Sequence, residues 1–203
     1  MNLINNKVSI DDDVIKNKRD EILNEAARFF RRKGFSGTSM QDIASAVGIL
    51  KGSIYYHFRS KNEIFREVLN KGISPVLKKA EFIVGKKLAP REMLRELIEN
   101  HVNYIIENDF SLVIFFQEKE KISASQTKDY IESRNCYEKI FRDVLAEGIN
   151  QGEFPDVDVS LTVLAILGMC NWIIQWYNPD GPKTRAEITA HMVHLISDLM
   201  LNK

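Results

Sequence analysis

Apolar positions recur at helical spacing along nearly the whole chain, and no alternating strand pattern of any length interrupts them. Ile22, Leu23, Ala26, Phe29 and Phe30 make the first stripe, which stops at Gly34. "SMQDIASAV" follows, with Thr38 and Gln41 at the T-x-x-Q spacing of a capping box. This short helix ends at Gly48, a residue suited to the left-handed backbone of a sharp turn. A third short helix opens at Leu50. Ser60 and Glu63 then have capping-box spacing for a helix running from about residue 61 to 84. Pro75 falls inside it and predicts a kink or break near residues 71–74, because proline removes a hydrogen bond and crowds the preceding turn. Pro90 suits the first turn of a helix ending near Asn108. A short helix over about 112–119 and a longer one over about 126–150, closed by Gly152 and Pro155, come next.

From residue 161 to 176 the chain is apolar nearly all round, which a helix on a protein surface cannot be. The run is shorter than the roughly twenty residues a bilayer requires, and Thr162, Asn171 and Gln175 interrupt it. A helix packed on both sides is therefore expected, one side on its own domain and the other on a second subunit. The last helix opens with a Thr184–Glu187 capping box and carries Ile188, Met192, Leu195 and Leu199 at four-three-four spacing. Two neighbouring helices with surplus apolar surface predict a helical homodimer and no membrane association. The fold class is thus all-α, with about nine helices.

Composition changes the picture little: 44% hydrophobic and 28% charged residues in 203 is ordinary globular material for one or two domains. The opening "MNLINNKVSIDDDV" has neither the basic stretch nor the apolar run of a signal peptide, and a cytoplasmic location is expected. Cys136 and Cys170 stand far apart in apolar helical surroundings and read as buried reduced thiols. Charge matters more. The formal net charge is zero, yet residues 16–66 hold eleven Lys or Arg against five Asp or Glu. A basic amino-terminal third on a faintly acidic body is the asymmetry of a protein with one domain facing phosphate.

That third also contains the candidate chemistry. A helix, a glycine turn and a second helix of similar size form a helix-turn-helix candidate, whose second helix enters the major groove by its first residues. Here those residues are Leu50, Lys51, Gly52 and Ser53. Lys51 brings charge, Ser53 a hydroxyl, and Gly52 close backbone approach. Tyr55, Tyr56 and His57 follow one turn later with donors on stiff rings, and Lys61 adds a cation. Thr38 and Ser39 open the preceding helix, where backbone N–H groups are free for a phosphate oxygen, and Gln41 completes the set. The plainer account is a core helix whose tyrosines merely reach water. The basic excess, the glycine turn and the polar positions all converge on one unit, and that favours double-stranded DNA.

"GTSMQDIASAVGILKGSIYYHFRSKNEIF" closely resembles the DNA-binding signature of the TetR family of bacterial transcriptional regulators. The matching positions are Thr38, Ile43, Ala44, Gly48, Gly52, Ile54, Tyr55, Phe58, Ser60 and Lys61. Val47 stands where alanine is frequent, and Leu50 replaces a small polar residue at the start of the recognition helix. The resemblance covers residues 16–77. Farther along, "NWIIQWYNPDG" is similar to members that control fatty-acid or acyl-coenzyme A metabolism. The resemblance implies a DNA-binding domain over residues 16–76 and a ligand-binding and dimerisation domain over 77–203. It also implies a dimer on a palindromic operator, released by a small hydrophobic effector, with Pro75 as the hinge.

Candidate effector-lining residues in the second part are His101, Tyr104, Phe115, Phe116, Tyr137, Phe141, Met169, Trp172 and Trp176. Glu187, His191, His194 and Asp198 share one helical face at offsets that can hold a transition metal, but the same spacing arises on any polar helix face. No Gly-rich phosphate loop follows a strand, and no Ser-His-Asp or Cys-His grouping stands out. Neither catalysis, a metal nor a cofactor is expected. The competing functional class is a helical small-molecule-binding and dimerisation module without specific operator recognition.

Overall fold

The computed structural model describes residues 3–107, 110–118 and 124–202, apart from some side chains within the helices. Among the described residues it is all-helical. The order is α1 (Leu3–Lys33), α2 (Met40–Ala46), α3 (Lys51–His57), α4 (Lys61–Gly85), α5 (Pro90–Ile106), α6 (Phe110–Glu118), α7 (Ala124–Asn150), α8 (Val159–Asn171), α9 (Ile173–Trp176) and α10 (Arg185–Val193). A π-helical segment, His194–Met200, continues α10. With α8–α9 and α10 with its π extension each taken as one interrupted helix, the fold has the nine helices expected among its described residues.

The chain forms two compact units: Met1–Gly72 with Phe110–Tyr130, and Ile73–Asp109 with Ile131–Lys203. The sequence suggests a single boundary after residue 76. The first unit also takes in α6 and the start of α7. In that unit Ile22, Leu23, Ala26 and Phe30 of α1 are buried, with Ile43, Ala44, Ile54, Phe58, Ile64 and Phe65. Phe30, Phe35 and Phe65 meet at centroid distances of 5.0–5.6 Å. Phe29, expected on the same stripe, is half-exposed beneath Arg32 and Lys33. The second unit is built on α5, which packs against α8, α9, α10 and the π segment.

Three local expectations are corrected. The α2 cap sits one residue later than Thr38: Ser39 accepts from Asp42 N–H, and the Asp42 carboxylate accepts from Ser39 N–H at 2.9 Å. At α4, Ser60 accepts from Glu63 N–H, but the Glu63 carboxylate takes the N–H of Arg59. Of the kink or break expected near Pro75, the break is absent: α4 is one helix through it. The third predicted box, Thr184 with Glu187, is present as expected.

The stretch Val159–Trp176 is long and apolar enough to cross a membrane by length and composition. Its helix is nonetheless interrupted at Trp172, and Val163, Ile166, Leu167, Cys170 and Ile173 are buried in the second unit. Leu161, Leu164, Trp172 and Trp176 are exposed. In the last helix the inward residues include Ile188, Thr189, Met192, Val193, Ile196, Ser197 and Leu201. Leu195 is only half-buried, and the side chain of Leu199 lies outside the described residues. The wider π turns re-space the inward positions. Arg91 holds this winding by donating to the carbonyls of Ser197 and Leu201, and Arg95 pairs with Asp198 at 2.6 Å. Cys170 is buried as expected, whereas Cys136 is exposed; both are free thiols.

Candidate nucleic-acid interface and effector core

Helix α3 is held from below and bare above. Ile54 and Phe58 are its inward anchors, and the Arg19 guanidinium lies 4.1 Å from the Phe58 ring centroid while donating to His57 O. Gly48 makes the preceding turn at φ +68°, and Ile49 N–H returns to Ala44 O at 3.0 Å. Outward stand Leu50, 79% exposed, Lys51, Gly52, Ser53, Tyr55 and Tyr56, the last 74% exposed. Leu50 supplies no capping oxygen to α3. Ser39 and Gln41 are also exposed, Gln41 donating to Ser45 Oγ at 2.9 Å.

Three residues expected at phosphate are committed inside the unit. Thr38 is buried, and its hydroxyl donates to Gly34 O at 2.8 Å. Lys61 donates from Nζ to Phe35 O (2.7 Å) and Thr38 O (2.6 Å), with its charge 4.3 Å from the Phe35 ring centroid. Partial burial lowers the Lys61 pKa, opposed by the negative charges of Glu118 and Asp42. His57 is half-buried, its ring edge-on to Tyr56 at 5.2 Å, and burial and then Arg19 and Lys18 lower its pKa. Thr38 and Lys61 thus have intramolecular partners for their side chains, which the sequence alone did not indicate. Their polar atoms pin the turn between α1 and α2, whereas the His57 ring nitrogen Nδ1 is buried without a hydrogen-bond partner among the described residues and only the backbone carbonyl of His57 is held, by Arg19.

The expected effector residues do not form one wall. Phe115 lies in the first unit against Tyr130, centroids 4.7 Å apart. The side chain of Phe116 lies outside the described residues. Trp172 and Trp176, 65% and 50% exposed, stand on the open face of α8 and α9 and not in a core. Tyr104 and Met169 are half-buried. His101, Tyr137 and Phe141 do converge: the His101 ring stacks on Tyr137 at 5.6 Å and stands edge-on to Phe141 at 6.3 Å. Asn171 Oδ1 lies 3.1 Å from His101 Nε2, and the Tyr137 hydroxyl 3.1 Å from Nδ1. An amide oxygen only accepts, so Nε2 carries the proton and Nδ1 accepts from tyrosine. Asn100 donates to Val76 O at 3.1 Å and also interacts with the Tyr137 hydroxyl. Burial lowers the His101 pKa to about 4, raises Tyr137 well above its ordinary value, and pushes Cys170 up to about 12. All three are neutral near pH 7.

Two cavities in the second unit have other linings. One of about 550 Å³ lies among Glu99, Asn103, Arg185 and Thr189, and one of about 310 Å³ among Val84, Leu88, Met93, Ile140 and Val144. Arg19, Asn100, Glu118 and Asn171 carried no local signal in the sequence, because each acts on a partner distant along the chain.

Residues 22–68 match the bacterial regulatory proteins of the tetR family, and residues 87–200 match the tetracyclin repressor-like C-terminal domain. The chain belongs to the TetR family. The HTH-type transcriptional repressor KstR2 of Mycobacterium tuberculosis is 34% identical over 177 residues, covering 86% of this chain and 88% of that one. The structure of the TetR-family regulator PfmR from Thermus thermophilus superposes with a TM-score of 0.77 at 37% identity, covering 86% of this chain and 96% of PfmR. AibR, crystallised with isovaleryl coenzyme A and operator DNA, gives a TM-score of 0.80 at 25% identity, with 88% and 97% covered. TetR proteins are transcriptional regulators and not enzymes. Among the described residues, no group of three or more His, Cys, Asp or Glu is arranged to hold a metal ion.

Proposed function

We propose that this TetR-family chain is a ligand-responsive repressor that binds a palindromic operator as a homodimer and is released by a small hydrophobic effector. The observation that carries the DNA half is the outward face of α3, where Leu50, Lys51, Gly52, Ser53, Tyr55 and Tyr56 stand exposed on a helix anchored by Ile54 and Phe58. Lysine, hydroxyls and a bare glycine suit phosphate and base edges, and Leu50 suits a thymine methyl. The amino-terminal boundary near residue 76 and a cytoplasmic location belong to the same reading, and the family supports both.

The exposed apolar face of α8 and α9 supports the dimer. Adjacent major grooves on one face of DNA recur about every 34–36 Å. A dimer that changes the separation of its two recognition helices by a few ångströms therefore loses specific contact. An acyl-coenzyme A or fatty acid is the effector class, supported by AibR with its isovaleryl coenzyme A. In this protein, the cavity of about 310 Å³ among Val84, Leu88, Met93, Ile140 and Val144 offers a largely apolar lining for an acyl chain.

Selection of duplexes from genomic fragments, followed by footprinting and binding at several salt concentrations, tests the DNA half. A two-fold symmetric site is expected, with affinity falling steeply as salt rises, Tyr56→Phe weakening binding broadly and Lys51→Ala changing sequence preference. A strictly monomeric protein, or one indifferent to every duplex at modest ionic strength, refutes it and leaves a small-molecule-binding module. Titration with isovaleryl coenzyme A and longer acyl thioesters tests the effector half: no heat and no operator release with any of them, or with fatty acids, removes that class.

A further inference from the structure

Glu118, the last residue of α6, is only 3% exposed although it carries a carboxylate. Such groups are rarely buried without a partner. Its Oε1 accepts the backbone N–H of Phe35 at 3.1 Å, a contact spanning 83 residues of chain. The approach is so close that a Cβ on Gly34 would stand 2.6 Å from this oxygen. Gly34 sits at φ +73°, and this left-handed backbone is what favours glycine at the turn.

The same turn is held from its other side. Phe35 O and Thr38 O receive the Lys61 ammonium, and the Glu118 charge acts on that ammonium. Carboxylate and ammonium thus grip one short segment, the first by an N–H and the second by carbonyls. Ser39, the cap of α2, follows directly. The topology adds an independent fact: α6 packs on α1 within the first unit, while α5 before it and most of α7 after it belong to the second.

Resting on the DNA-binding reading above, we propose that Glu118 is a positioning residue for operator recognition. It fixes the turn that leads into α2 and α3, and so sets operator affinity without touching nucleic acid. It does this by two separable means, as an acceptor for Phe35 N–H and as a negative charge beside Lys61. Glu118→Gln keeps the first and removes the second. Glu118→Ala removes both, and Glu118→Asp keeps the charge on a stem too short to reach the amide.

The test is operator affinity of the full-length dimer on a duplex selected with the wild-type protein, with hydrogen exchange read at the Phe35 amide. Glu118→Ala is expected to bind roughly tenfold or more weakly, the scale of a lost charge-assisted hydrogen bond. Its salt dependence should match wild type, because no phosphate contact has gone. Its Phe35 amide should exchange faster. Glu118→Gln should keep Phe35 protected and lose no more than about a third of that binding free energy. Should the alanine variant fail to fold, the same two readouts on the Gln and Asp variants decide, Asp being the weaker binder with the less protected amide. Wild-type affinity in Glu118→Ala, or equal affinities for Gln and Asp, overturns the proposal. Failure of the wild-type protein to select any duplex is a different result, and it sinks the DNA-binding reading itself.

Discussion

Gly52 is the second residue of α3, exposed, and a Cβ built there meets nothing within 4 Å. Its φ is not in the left-handed region, so neither space nor backbone within the protein asks for glycine. Glycine inside a helix costs about 0.5–1 kcal/mol relative to alanine, somewhat less near the end of a seven-residue helix such as this one. Gly52→Ala should therefore stabilise the free protein by a few tenths to about 1 kcal/mol, raising Tm by about 1–4 °C for a chain of this size. If the missing side chain exists to let a nucleic-acid backbone come close, the same methyl should weaken operator binding by roughly tenfold, about 1.4 kcal/mol, in the opposite direction. Thermal unfolding of the free protein and fluorescence anisotropy on a selected duplex measure the two effects side by side. A variant that melts higher and binds with undiminished affinity refutes the reasoning, because Gly52 would then serve nothing outside the protein.

His101 has a folded pKa of about 4 against 6.5 when exposed, so the unfolded chain binds more protons between these values and stability falls as pH drops from about 6.5 to 4. The full loss is on the order of 3 kcal/mol, and urea titrations should show this part of the acid limb missing in His101→Gln; an unchanged pH slope contradicts the burial argument. Leu164 is exposed on α8, so Leu164→Glu should leave the subunit folded while shifting the protein to monomer in light scattering, and an intact dimer would remove this face from the interface. Thr184→Ala deletes the capping box of α10 and should lower stability by about 0.5–2 kcal/mol in denaturant unfolding; no change would mean that the cap is redundant with the α5 contacts. Tyr137→Phe leaves the His101 Nδ1 without its donor and should cost about 1–3 kcal/mol, read by the same unfolding assay.

What could be read from the chain alone was whatever depends on near neighbours. Helical periodicity, the glycine at Gly48, the Thr184 cap and the run of polar groups from Lys51 to Tyr56 are all written within a few residues of one another, and so are the motifs that mark the family. Even there, neighbours one residue apart competed. Thr38 and Ser39 both suit a cap, and only packing turned the first inward to Gly34 O and left the second to α2. Pro75 predicts a kink or break by local rule, and α4 shows no break there.

The tertiary structure decided every role that spans distance. Trp172 and Trp176 read as effector-lining residues, because apolarity says that a ring must be covered and not by what; the burial of Ile166, Cys170 and Ile173 on the opposite face turned them outward. Lys61 is a cation in any reading, and the carbonyls that hold it lie 26 and 23 residues away. Glu118 could not be noticed at all until the fold brought it to Phe35. Periodicity along a chain encodes which residues face inward, whereas the partners they meet there are set by three-dimensional packing, which no local pattern records.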